Sequence, residues 1–262
     1  MKYRLLVAVP FVALAAFLVA LALGADRAHL FRVEVELAKS AALFGCAAAA
    51  LRFGRGDYLR AAWLLLGQCY LLILVNDVFF RAGMGVAGDR PWAPTVSGAV
   101  VLVANAGQLV GTVMIARVWR VAGFELAGSP AVRRGVVIAA IAIALVAAGD
   151  LVFTSGRAVV HGDRVALVDL FSSVADIVSF ALIAPFLLTA IAFRGGSLGW
   201  TWALLTASLF GWLLFDATLS FGAGPTLSEA MRLLACTFGM SAGLAQRMAV
   251  RAAPVAVAAA QG

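Results

Sequence analysis

The chain has 262 residues, of which 64% are hydrophobic, with a mean hydropathy of +1.02; soluble domains are usually about 45–50% apolar. This excludes an ordinary water-soluble globule and makes the bilayer the solvent. Lysine and arginine total 20 against 13 acids, a net charge of +7, but the basic residues are short flanks of apolar runs. That distribution orients helices in a membrane and argues against a nucleic-acid partner.

With about 20 apolar residues needed per spanning helix, spans are predicted near 5–24, 31–51, 61–81, 95–117, 134–154, 166–193, 199–220 and 227–247. The first run, after Lys2 and Arg4 and ending in Ala20-Leu21-Ala22, also satisfies a secretory signal peptide. Its length of about 20 residues favours a retained span. Four runs end on aspartate, at Asp26, Asp77, Asp150 and Asp216, and the runs that follow close on Arg52, Arg117, Arg194 and Arg247. The expected fold is therefore all-α, a polytopic membrane helical bundle of about eight transmembrane helices arranged as four repeated hairpins. The last two units match best and the first matches least.

Residues 1–251 form one transmembrane domain on this reading. The longest connection, about 118–133, contains Gly123, Gly128 and Pro130 and divides it into halves 1–120 and 130–251. Residues 252–262 are expected to be a short flexible tail. Basic residues gather at the amino terminus, the even-to-odd loops and the carboxy terminus, which predicts both termini in the cytoplasm and residence in the plasma (inner) membrane.

Polar residues inside the spans are the candidates for function. In the sixth span Asp169, Ser172, Ser173 and Asp176 follow the spacing of one helix face, with Asp176 roughly 15 Å in from the start of the helix. Such a carboxyl is expected to face protein or water rather than lipid. Asn105 and Gln108 in the fourth span and Gln68 in the third reach similar depth and would complete a ligand or ion site if they converged on Asp176. Thr206, Ser208 and Thr237 read as hydrogen-bonding glue between helices. Asp77, Asp150 and Asp216 are candidates for an outer acidic ring around a vestibule that collects cations. Arg81, Arg157 and Arg27 are the expected counter-charges of Asp77, Asp150 and Asp26.

In the second span Glu36 and Lys39 have the spacing of a local ion pair, with Arg32 and Glu34 nearby. The last span has no lysine, which argues against a retinal-binding rhodopsin. His29 and His161, with Asp163 or Glu34, do not form an enforced metal spacing, and no cofactor is specified. Cys46, Cys69 and Cys236 lie in spans and suggest packing rather than disulfides. Trp92, Trp119, Trp200 and Trp202 fit an interfacial belt, whereas Trp63 and Trp212 read as lipid or packing contacts. Gly149-Asp150 supplies only half of the Gly-x-Gly-Asp turn of intramembrane aspartyl proteases, and no phosphate-binding loop is present.

The function expected from sequence is an integral membrane protein with a polar cavity, acting as a ligand-binding sensor or small-solute or ion transporter. Its expected partners are the lipid bilayer, a small polar ligand or cation and a membrane protein. The alternatives are an intramembrane hydrolase pairing Asp150 with Asp176, or Asp77 with Asp150, and a non-catalytic subunit of a larger membrane complex.

Overall fold

The computed structural model describes residues 2–81, 85–121, 128–192 and 197–260. Among them are eight α-helices: α1 (Lys2–Ala22), α2 (Arg27–Ala50), α3 (Tyr58–Val75), α4 (Ala93–Val121), α5 (Pro130–Val160), α6 (Arg164–Ala192), α7 (Ser197–Ser220) and α8 (Pro225–Ala260). A π-helical turn, Asn76–Phe80, extends α3. Each predicted span coincides with one of these helices. Arg194 and residues 122–127 of the 118–133 connection fall outside the described residues, as do the side chains of Trp119 and Arg120.

Seven of the helices are long and apolar enough to cross a bilayer, so the chain is a multi-pass membrane bundle. The exception is α2, which carries Arg27, His29, Arg32, Glu34, Glu36 and Lys39 in its first thirteen residues. Its 24 residues are long enough, at about 36 Å of helix. Leu37, Phe44 and Leu51, spaced by seven, are exposed along one side, while Lys39, Ala42, Cys46 and Ala49 are buried on the other. The helix is thus apolar toward lipid and partly polar toward protein.

Six helices close a ring in the order α2, α3, α4, α6, α7, α8 and back to α2. The remaining two stand outside it: α5 against α6 and α7, and α1 chiefly against α8. Three of the four sequence hairpins pack as pairs. In the first, α1 scarcely touches α2, because α8 occupies the place beside it. The outer surface is apolar, with Phe11, Leu18, Val110, Ile138 and Val146 exposed.

Lipid tails are as apolar as leucine, so helices in a membrane are drawn together by close packing and interhelical hydrogen bonds. Small residues make that packing possible here. A Cβ added to Gly243 of α8 would overlap the Gly45 carbonyl of α2, and one on Gly211 of α7 would lie 2.9 Å from Ala235 Cα of α8. On α4, Gly111 faces the Ala62 carbonyl of α3 at 3.0 Å from the same construction. Tyr70 of α3 reaches across the ring to Ser208 of α7 at 3.3 Å, and Ser208 donates to the Ala235 carbonyl at 2.7 Å. Ser208 is therefore glue as expected, whereas Thr206 and Thr237 bond back to their own helices at Trp202 and Leu233.

Gly243→Leu should destabilise the bundle by on the order of 3 kcal/mol or prevent its assembly, because two backbones cannot part without opening the ring. Gly149→Leu, where an added Cβ meets nothing within 4 Å, should leave the melting temperature in detergent nearly unchanged. Equal losses in the two variants would contradict the α2–α8 contact.

Candidate functional site

The four aspartates that end apolar runs have four different environments. Asp26 caps α2, accepting from the Ala28 amide at 3.2 Å. Asp77, in the π-helical turn, forms an ion pair with Lys39 of α2. Asp150 is exposed on the peripheral α5. Asp216 is buried four residues before the end of α7. The three candidates for an acidic ring therefore do not form one: α5 lies outside the ring of helices, which takes Asp150 away from the other two. Asp150, a member of both hydrolase pairs, is exposed and does not line the cavity that Asp77 and Asp176 share.

Lys39 does not pair with Glu36. It is 1% exposed and points inward, and burial makes an oppositely charged side chain on the next helix its only affordable partner. Arg81, the counter-charge expected for Asp77, instead approaches Glu229 of α8 at 3.5 Å. Arg232 pairs with the same Glu229 at 3.1 Å and lies over the Phe215 ring at 4.5 Å. Arg157 stacks on Phe153, its centre 5.5 Å from the ring.

A cavity of about 190 Å³ receives polar atoms from every ring helix: Lys39 from α2, Asn76 and Asp77 from the end of α3, Asn105 and Gln108 from α4, Ser172 and Asp176 from α6, Asp216 from α7 and Arg232 from α8. α2 starts at Arg27, α4 at Ala93 and α6 at Arg164. Lys39, Asn105 and Asp176 each lie about twelve residues beyond those starts, or roughly 18 Å of helix. The three helices thus bring their polar groups to one depth, near the end of the bundle where α3 and α7 finish. Tyr70 and Ser208, two turns deeper on α3 and α7, close the interior beneath.

Asp176 and Gln108 are the centre of the polar network. Gln108 Nε2 donates to Asp176 Oδ1 at 2.6 Å, and its Oε1 accepts from the Cys69 thiol at 3.5 Å. The amide is therefore held from both ends. Asn105 donates to Ser172 Oγ, and Ser172 gives its own proton to the Val168 carbonyl at 2.8 Å, so the serine is fixed as an acceptor. Ser173 is buried behind the wall. Asp176 of α6 and Asp216 of α7 line the same cavity.

Of the sequence candidates, Asp176, Ser172, Asn105 and Gln108 converge on the cavity, and Ser173 is buried beside them on α6. Asp169 is exposed one or two turns nearer the helix start. Gln68 lies against Gly107 of α4, about 3.8 Å from an added Cβ there, and is not part of the wall. Asn76, Trp212, Arg232 and Glu229 were not anticipated. The π-helical turn turns Asn76 inward, and no periodicity in the sequence marks that turn. Trp212 lines the cavity, and Trp202 stacks on Phe186 with ring centroids 5.0 Å apart. Trp202 is thus a packing residue, correcting its place in the interfacial belt. His29 and His161 are exposed in the described residues, and the three cysteines are buried and free.

Comparisons with known protein families, with characterised proteins and with solved structures find no match to this chain.

Lys39→Met should cost about 3–5 kcal/mol, because it leaves Asp77 without its partner in a poorly hydrated wall. Adding Asp77→Leu should recover most of that loss. Thermal unfolding of the two single variants and the double variant measures the coupling, and strictly additive losses would contradict the ion pair.

Proposed function

We propose that the central cavity binds a small cation or a small protonated solute, and that the chain is a sensor or transporter for it. The observation that carries this reading is the charge arrangement of the wall. Lys39 and Arg232 are already engaged with Asp77 and Glu229, whereas Asp176 accepts from the neutral Gln108 amide and neither Asp176 nor Asp216 forms an ion pair among the described residues. Asp216 Oδ2 and Asn76 Oδ1 are buried with no hydrogen-bond partner among the described residues. Buried acceptors without donors are costly, at about 1–3 kcal/mol each, and a guest carrying N–H groups or a hydrated cation would relieve that cost. A cavity of 190 Å³ limits the guest to a few non-hydrogen atoms.

The like order of α2, α3, α4 and α6, α7, α8 around the ring supports an internal repeat of two halves, with the site between them as in many transporters. The arginine distribution supports the plasma (inner) membrane with both termini cytoplasmic, which places the cavity toward the outer face.

A second reading rests on Asp176 and Asp216 facing one cavity from adjacent helices. Two carboxyls so placed can divide the roles of acid and base in hydrolysis. It predicts turnover of an amide or ester substrate that either Asp→Asn change abolishes.

Thermal unfolding in detergent with methylammonium, guanidinium, sodium or acetate tests the binding reading. One or more of the cations should stabilise the protein, by about 2.7 kcal/mol at a hundredfold excess over its dissociation constant. Acetate should not, and Asp216→Asn should remove the response. Stabilisation by acetate alone, or an undiminished response in Asp216→Asn, would contradict it. Uptake of the stabilising cation into proteoliposomes then distinguishes transport from sensing, and a carboxy-terminal reporter fusion should be active only in the cytoplasm.

A further inference from the structure

The two halves of the ring match residue by residue. α2 and α6 each follow an Asp-Arg step, Asp26-Arg27 and Asp163-Arg164. Asp26 accepts from the Ala28 amide at 3.2 Å, and Asp163 accepts from the Val165 amide at 2.8 Å. Counted from these aspartates, Ala38, Lys39 and Cys46 of α2 fall at the positions of Ala175, Asp176 and Ile183 of α6, and all of them are buried. Counted from Tyr58 and Ser197, where α3 and α7 begin, Trp63 matches Trp202, Leu66 matches Leu205 and Asp77 matches Asp216. Near its start α4 reads Pro94-Thr95-Val96-Ser97-Gly98-Ala99, and α8 reads Pro225-Thr226-Leu227-Ser228-Glu229-Ala230.

Matched positions also line one cavity. Ile73, Asn76 and Asp77 of the first half correspond to Trp212, Phe215 and Asp216 of the second, and all six are in its wall. Lys39 and its match Asp176 are there too, as are Val101 and its match Arg232. The cavity is thus shared between two like halves, the usual place for a site in repeated membrane folds.

In this wall the halves differ in charge at two places. Arg232 stands where the first half has Val101, but it brings its own counter-charge, because Glu229 replaces Gly98 and pairs with it at 3.1 Å. The other difference is not balanced. In the first half Lys39 places its ammonium on Asp77. In the second half Asp176 holds the lysine's position, and Asp216 forms no ion pair among the described residues. Asp216 is 6% exposed and its Oδ2 has no hydrogen-bond partner there, much as Asp77 would be left without Lys39.

We propose that the guest of the cavity is a short primary alkylamine, whose ammonium takes in the second half the place that the Lys39 ammonium takes in the first. This rests on the reading of the cavity as a cation site and names the cation. An ammonium brings three donors, and Asp176, Asp216 and the partnerless Asn76 Oδ1 are the acceptors. Asp176 is already held in place by the Gln108 amide at 2.6 Å. The alkyl group lies against Ile73, Val101 and Trp212, contacts that a metal ion cannot use. A volume of 190 Å³ holds about six water-sized groups at roughly 30 Å³ each, which limits the chain to a few carbons.

The test follows thermal unfolding of the full chain in detergent with propylammonium, tetramethylammonium, sodium and 1-propanol. Propylammonium should act at about tenfold lower concentration than tetramethylammonium or sodium, the factor for one hydrogen bond to a charged group. The neutral 1-propanol should not stabilise. Asp176→Lys rebuilds the first half's ion pair inside the second, so it should raise the melting temperature without ligand and abolish the propylammonium response. Adding Asp216→Asn should cancel that gain. Should Asp176→Lys fail to fold, the ligand series on the unaltered protein decides alone. Equal potency of sodium or tetramethylammonium would overturn the amine assignment and leave the cation reading standing, whereas a response to none of the three cations would overturn both. A folded Asp176→Lys that gains no stability, or still responds to propylammonium, would also overturn the assignment.

Discussion

A lysine cannot lie unpaired among helices in a membrane, and the position of Lys39 organises the rest of the bundle. Its buried ammonium requires an acid on a neighbouring helix, and Asp77 supplies it from the π-helical turn that ends α3. That pair ties α2 to α3 at the level of the cavity. α2 carries too much charge to stand alone in lipid, so it must be enclosed on its polar side. α3 and α8 enclose it, and Val33, Leu37, Phe44 and Leu51 are exposed toward the hydrocarbon.

Once α2 is fixed between α3 and α8, the ring follows from packing. The backbones of α2 and α8 approach at Gly45 and Gly243, α7 and α8 at Gly211, and α3 and α4 at Gly111. The final seam, α4 against α6, is polar: Asn105 meets Ser172 and Gln108 meets Asp176. The groups that hold this seam are also the cavity wall. Structure and candidate function therefore share residues, and the orphan acceptors Asp216 Oδ2 and Asn76 Oδ1 are what separate a site from mere cohesion. The two helices outside the ring differ in their attachment. α5 packs along α6 and α7, whereas α1 rests on α8 and leaves an apolar groove beside α2.

The sequence makes the spans legible because each is a long apolar run bounded by polar punctuation, and Asp176 stands out because a carboxylate at that depth needs a reason. The stripe containing Ser172, Ser173 and Asp176 is legible for the same cause, since helical spacing fixes which residues share a face. Partners between helices are not legible. Lys39 has Glu36 at the right spacing on its own helix, yet pairs with a residue 38 positions away, and no local pattern reports that choice. Gln68 has the depth of Gln108 but the wrong face, which depends on how α3 is rotated against Gly107. Asp150 and Asp216 look alike in sequence. They differ because α5 stands outside the ring and α7 within it, and ring order is decided by glycine contacts between distant segments.

The central claim is that α4 and α6 meet directly, with α5 displaced outward. Disulfide trapping tests it most directly. In a chain with Cys46, Cys69 and Cys236 replaced by alanine and a protease site inserted between residues 122 and 127, Asn105→Cys with Ser172→Cys should cross-link on mild oxidation and keep the cleaved halves together. Gln68→Cys with Ser172→Cys should not. Failure of the first pair to cross-link in a folded protein, or equal cross-linking of both, would contradict the ring and the cavity it encloses.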